Sequence, residues 1–257
     1  MSTRADFRQA ARAALQDDHA QAALATGTGR LRDGRLRAWG EAGDIAALRE
    51  RGRQIRTSTI ADLDRHLETF ERSLSARGGV VHRTGTAEEA AATVVRICRQ
   101  ANAQLIAKSK SMATEEIELN GALELAGLKV VETDLGEYLM QIRGEHPQHI
   151  VAPAIKLTRT DAAEALGVEP EMDLVMRAAR EQLRTVFRTA DVGVTGANFA
   201  VAETGSICLV TNEGNADLVT ALPRIHVVVL GMERLVPTLA ELAPLLRLLA
   251  SSATGER

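Results

Sequence analysis

The sequence predicts an α/β fold: a mostly parallel sheet flanked by helices, with a helical extension in front of it. Two observations carry this. From residue 80 onward, short apolar runs alternate with amphipathic stretches, the pattern of strands joined by crossover helices and covered on both faces. Hydrophobic residues make up 45% of the 257, enough to bury one large domain.

Residues 4–24 predict one helix, followed by TGTGRLRDGR, a glycine-punctuated basic loop. Asp44 is placed to cap a longer helical element. Within it Ile60, Leu63, Leu67, Phe70 and Leu74 recur at steps of three and four, one apolar stripe, until Gly78 and Gly79 stop it. The boundary is therefore drawn between a helical extension, 1–77, and an α/β domain, 78–257. In the latter, VVHR (80–83) reads as a strand and TAEE (86–89) as a capping box opening a helix through Cys98. QLIA (104–107) is a strand with a helix after it, and KVVE (129–132) a strand with another helical stretch. HIVA (149–152) is short and apolar. Pro170 falls where a first helical position is expected. Met172, Val175, Met176, Ala179, Leu183, Val186 and Phe187 then line one face of a helix, opposite Arg177, Arg180, Glu181, Arg184 and Arg188. ADVGV, SICLV and HVVVL follow as strands, and residues 238–250 as a final amphipathic helix.

Composition narrows the function classes. The formal charge is −3, but residues 1–77 hold 14 arginines against 11 acids, while the remainder is net acidic. Aromatics are only 2%, which argues against a nucleic-acid surface built on stacking. Cys98 and Cys208 stand alone in apolar runs, without a CxxC or Cys/His cluster. No zinc or iron–sulfur site, and no other metal site, is expected from local ligands, and a reducing compartment is the simplest reading. The amino terminus lacks the apolar region of a signal peptide, and no segment nears the ~20 apolar residues of a membrane span. A soluble cytoplasmic protein is expected. GTG at 27–29 follows no strand, so it is no dinucleotide fingerprint. His149 and His226 begin apolar strands and read as hydrogen-bonded structural residues.

In an open α/β sheet, ligands bind beyond the carboxyl ends of the strands. Four predicted strand ends deliver a polar or glycine-bearing cluster. They are Lys108, Ser109, Lys110 and Ser111; Glu132, Asp134 and Glu137; Thr195, Gly196 and Asn198; and Thr211, Asn212, Glu213, Gly214 and Asn215. The chain has only four lysines, at 108, 110, 129 and 156, so two of them on one strand end stand out. Beside two serines and a helix start they suit a carboxylate or phosphate. TNEGN could offer backbone amides to an anion, although its composition is that of a plain turn. ETDLGE has a structural explanation, Asp134 as N-cap with Glu137 three residues on. In TGANFAVAETGS, small residues allow close approach, Asn198 can donate and accept, and Glu203 lies next to a strand expected to be buried. A desolvated carboxylate there suits acid–base or nucleophilic work, with Asn198, Glu203 and the lysines expected around one cleft. The alternative is a glutamate that holds its turn by bonding backbone amides.

KSKSMATEEIELN, VVETDLGEY, HIVAPAI, ADVGVTGANFAVAETGSICLVTNEGN and LPRIHVVVLGMERLVPT together resemble the amino-terminal domain of the LUD family of bacterial lactate-utilisation iron–sulfur proteins, over nearly the whole chain. The resemblance implies a NagB/RpiA/CoA-transferase-like α/β fold. In CoA transferases of that group a Glu–x–Gly segment carries the catalytic carboxylate, and Glu203-Thr204-Gly205 is similar to it locally. This leaves a transferase- or isomerase-type enzyme using Glu203 as the alternative to a ligand-binding or docking module. Family members continue past the segment matching Ser252–Gly255 into a ferredoxin-like portion whose cysteines hold [4Fe–4S] clusters. This chain, ending at Arg257, is expected to lack that portion and to hold no cofactor itself. An electron-transfer role in oxidation of L-lactate to pyruvate, beside other lactate-utilisation subunits, is implied for the complete protein.

Overall fold

The computed structural model describes residues 4–145, 154–211, 213–253 and 255. The extension forms four helices, α1 (Arg4–Leu15), α2 (Asp18–Glu41), α3 (Ile45–Ala61) and α4 (Leu63–Ser75). The expected basic loop is part of α2. Glycine inside a helix costs only about 1 kcal/mol, and here it buys closeness: a Cβ on Gly27 would lie 2.8 Å from Ile155 Cδ1. The single longer element is two helices broken at Asp62, so Ile60 is left exposed while Leu63, Leu67, Phe70 and Leu74 share one apolar cluster. Val80–Arg83 forms no strand among the described residues; Val81 packs against the cluster around Phe70. The predicted strand 149–152, with His149, lies outside the described residues.

The α/β part follows as α5 (Ala87–Gln100), β1 (Leu105–Lys108), α6 (Met112–Glu116), α7 (Leu119–Leu125), β2 (Lys129–Glu132), α8 (Leu135–Ile142), α9 (Arg159–Leu166), α10 (Met172–Thr189) and β3 (Val192–Thr195). Next come β4 (Phe199–Val201), β5 (Ser206–Cys208), α11 (Asn215–Ala221), β6 (Ile225–Val228), β7 (Leu235–Val236) and α12 (Leu239–Ala253). Thr86 caps α5 as expected, its side chain accepting from Glu89 N–H; the Glu89 carboxylate reaches back to Gly85 N–H rather than to the cap. Pro170 lies just ahead of Glu171, the N-cap of α10, and Met172 and Met176 sit at the exposed margin of its stripe.

Four strands form an all-parallel sheet in the order β2-β1-β3-β6. Ile106, Val130, Val192 and Val194 face α5 and α7 in one core cluster. Gly193 meets α11 so closely that a Cβ would fall 2.0 Å from Val219 O. Gln141 of α8 closes the open edge of β2, accepting from Glu132 N–H at 2.9 Å and donating to Val130 O at 3.0 Å. A second sheet, β5-β4-β7, packs against α3, α4 and α12 through Ile55, Phe70, Val201, Val236 and Leu242. Its three strands are two or three residues long, which is why β4 and β7 carry no periodic signal in the sequence.

From β1 the strand order runs to β2 on one side and, beyond β3, to β6 on the other. The reversal falls between β1 and β3. At such a point the connecting helices leave to opposite faces and open a crevice beyond the strand ends.

Candidate functional site at the strand ends

Three of the predicted strand-end clusters meet at this reversal, together with the loop ahead of α11. Asn215 donates from Nδ2 to Asp134 Oδ2 at 2.7 Å, to Ser109 Oγ at 3.3 Å and to Thr133 Oγ1 at 3.3 Å. Asp134 Oδ2 also accepts from Lys110 N–H at 2.7 Å. Glu213 accepts from Leu135 N–H at 3.3 Å. A Cβ on Gly196 would lie 2.6 Å from Ser111 Oγ, so glycine is what lets the β3 end close on the β1 end.

Capping does not account for ETDLGE. Asp134 holds the N-cap position of α8 but its side chain caps nothing there; it ties the β1 end to α11 instead. Glu137 points inward and is 1% exposed. Beside it, fully buried Lys108 pairs with Glu132, Nζ to Oε1 at 2.5 Å, and the same oxygen accepts from Asn120 Nδ2 at 2.7 Å. Their register explains the pairing, since Lys108 and Glu132 are neighbours across β1 and β2. The second Glu132 oxygen and both Glu137 carboxyl oxygens are buried. Burial first, and the adjoining Glu132 charge second, push the Glu137 carboxyl up to about 9. Half-buried Glu115 of α6 is pushed up to about 7 by burial, an effect moderated by Lys108 and Lys110 and reinforced by Glu132.

Most predicted ligand contacts are therefore engaged inside the protein. Lys108 holds Glu132, Ser109 meets Asn215, and Ser111 caps α6 by accepting from Thr114 N–H at 3.3 Å. Thr195 Oγ1 bonds His226 Nε2 at 2.8 Å, the structural role expected of that histidine. What the rim offers outward is the exposed Lys110 side chain; Gly196 is buried against Ser111, and half-buried Gly214 adopts φ 74°. Asn212 lies outside the described residues. Glu115 and Asn120 were not singled out from sequence, and Glu132 and Glu137 stand in the strand-end cluster ETDLGE, for which capping offered a structural explanation. An acid directly following an apolar strand, as at Glu132, was the available signal.

Glu203 requires a correction. It sits in the turn between β4 and β5, exposed rather than desolvated, and its Oε1 accepts from Leu239 N–H at 2.7 Å at the start of α12. Ser73 of α4 donates to its carbonyl, and a Cβ on Gly205 would fall 2.5 Å from Leu74 N. Thr204 Oγ1 donates to Ser206 Oγ within the same turn. Asn198 is at the opposite end of the hairpin, where Oδ1 accepts from Val210 N–H at 2.7 Å. β4 lies between Asn198 and Glu203, so the two sit at opposite ends of the hairpin. Glu203, Thr204 and Gly205 thus belong to the packing of α4 and α12. Their described contacts share no partner with those of Lys108.

The [4Fe–4S] cluster implied by resemblance takes four thiolates. The chain offers two, in different core clusters: Cys98, fully buried, its thiol pushed up to about 11 by burial, and Cys208 in β5. These residues do not fit such a cluster. Among the described residues no group of three or more His, Cys, Asp or Glu could hold a metal ion, and no helix is long and apolar enough to cross a membrane.

An open parallel sheet with a charged, interlocked cluster at its reversal of strand order defines a doubly wound α/β domain. The chain belongs to the LUD domain family, which matches residues 67–257, from within α4 onward. It is 49% identical to lactate utilization protein B of Bacillus pumilus, over 98% of this chain and 54% of that protein. It is 45% identical to lactate utilization protein B of Bacillus cereus and to lactate utilization protein B 2 of Bacillus mycoides, over 95% of this chain and 53% of each. The chain spans about half the length of these curated relatives. No solved structure matches it.

Proposed function

We propose that this chain serves L-lactate oxidation in the cytoplasm, as a domain that binds a small carboxylate at the strand-end rim and acts beside other lactate-utilisation subunits. Iron–sulfur electron transfer belongs, in this reading, to protein outside these 257 residues. The names of the relatives support the pathway. The observation that carries the binding role is the rim itself: Asn215, Asp134 and Ser109 lock three segments together, and the Lys110 ammonium stands exposed above them. A small carboxylate seated on Lys110 gains a charge-assisted bond there.

Calorimetric titration with lactate, pyruvate, coenzyme A and a sugar phosphate tests this. Lactate or pyruvate is expected to bind, and Lys110→Ala to weaken binding at least tenfold while the protein stays folded. Preference for coenzyme A or the sugar phosphate, or full affinity in Lys110→Ala, overturns it.

A further inference from the structure

We propose that the elbow between α2 and α3 is a docking surface for an acidic segment of a partner protein, whose carboxylates are taken by Arg35 and Arg49 beside Trp39. These helices take no part in the strand-end cluster, so the inference stands apart from the carboxylate reading above. Gly43, at φ 67°, turns the chain between Glu41, which ends α2, and Ile45, which begins α3. Trp39, in the last turn of α2, is reached from both helices. The Arg35 guanidinium, one turn earlier on the same face, lies 5.3 Å from the ring centroid, and that of Arg49, in the second turn of α3, lies 5.0 Å from it. Each is a cation–π contact, and together they gather two positive charges at one ring. Neither guanidinium forms an ion pair with an acid among the described residues, whereas Arg53, a turn beyond Arg49, is held by Glu50 at 2.6 Å. Two donors at the elbow are also left over: Trp39 Nε1 and Arg35 Nε are buried without an acceptor. Buried N–H groups in a folded protein are nearly always bonded. Two orphans a turn apart, next to two cations, make a place suited to an anionic acceptor.

The surroundings select carboxylates on a peptide over a phosphate backbone. Between residues 30 and 56, eight arginines are interspersed with four acids, Asp33, Glu41, Asp44 and Glu50. A continuous polyanion laid along this face meets those acids and is repelled, while separate carboxylates can be set against the arginines between them. Trp39 is the only tryptophan in the chain and aromatics are 2%, so nucleic-acid bases have no row of rings to stack on. Arginine presents a planar fork that a carboxylate accepts from with both oxygens. Because the two orphan N–H groups are buried, an arriving carboxylate reaches them by parting the Arg35 and Trp39 side chains, a rotamer change of the kind common where proteins dock. That movement alters the surroundings of the indole.

Trp39 emission therefore reports this elbow alone. The 257-residue chain is titrated with a blocked hexaglutamate peptide, with inorganic tripolyphosphate and with pyruvate. Hexaglutamate is expected to shift the emission saturably at submillimolar concentration, with an affinity that falls as salt is raised. Tripolyphosphate should bind more weakly, and pyruvate should leave the emission unchanged. Arg49→Glu and Arg35→Ala should each weaken hexaglutamate binding about tenfold or more. Absence of a saturable shift with hexaglutamate overturns the proposal, as does full affinity in Arg49→Glu. Tighter binding of tripolyphosphate makes the elbow a phosphate site and overturns the acidic-segment reading. A pyruvate shift as large as that of hexaglutamate reduces the effect to general anion binding and overturns it too. If Arg35→Ala does not fold, Arg49→Glu decides, since Arg49 is exposed.

Discussion

Replacing Lys108 by methionine removes a fully buried cation and leaves the Glu132 carboxylate, 5% exposed, with the Asn120 amide and Glu137. Breaking a buried pair from one side typically costs about 3–5 kcal/mol. The loss has a ceiling, because the orphaned carboxylate can take a proton instead. For an ordinary glutamate that costs about 1.4 kcal/mol per pH unit above roughly 4.3, so about 3.5 kcal/mol at pH 7 and about 1.5 kcal/mol at pH 5.5. Urea unfolding followed by circular dichroism at the two pH values measures both figures. The variant is expected to lose about 3 kcal/mol at pH 7 and roughly half that at pH 5.5. Adding Glu132→Gln should restore most of the loss at pH 7. A loss below about 1 kcal/mol at pH 7, or an equal loss at both pH values, refutes the buried ion pair.

Three further outcomes follow from the same geometry. Glu137 has a folded-state pKa of about 9, far above the ordinary carboxyl value, so its stability contribution is complete in acid and is lost as pH rises through that interval. Glu137→Gln should therefore gain stability relative to the natural chain by about 1.4 kcal/mol per pH unit between pH 6 and pH 8; parallel profiles in urea unfolding would contradict this. Glu203→Ala removes the acceptor at Leu239 N–H and should cost about 1 kcal/mol, as loss of a helix cap does, with pyruvate affinity intact; a binding defect by calorimetry would return Glu203 to the site. Gly193→Ala places a Cβ 2.0 Å from Val219 O, backbone that cannot swing aside, and should lower stability by more than about 3 kcal/mol. A melting temperature within a few degrees of the natural chain would refute that packing.

The sheet was legible because its strands are short apolar runs with turn residues at their ends: LIAK and KVVE fall within one residue of prediction. The second sheet was hidden, since Leu235–Val236 is a strand only by lying beside β4. The glycines of α2 misled because helix propensity is a weak prior beside packing, as Ile155 against Gly27 illustrates. At the strand ends, Ser109, Lys110 and Asp134 meet as the rule expects, while Asn215 arrives from the start of α11, after a strand, β5, that lies antiparallel in the other sheet. The rule could not tell which side chains face the crevice and which face one another. Lys108 and Lys110 are two residues apart, so along a strand they share a side, yet one is sealed against Glu132 and the other is exposed. Glu203 looked desolvated because a buried strand was expected next to it; Ser206, which begins β5, is itself exposed.

The central claim is that a small carboxylate binds where the strand order reverses. Amide chemical-shift mapping during a pyruvate titration tests it most directly. The largest changes are expected at Lys110, Gly196 and Gly214, with Glu203, Thr204 and Gly205 silent. Shifts centred on the Glu203 turn, or none at the β1 and β3 ends, would contradict it.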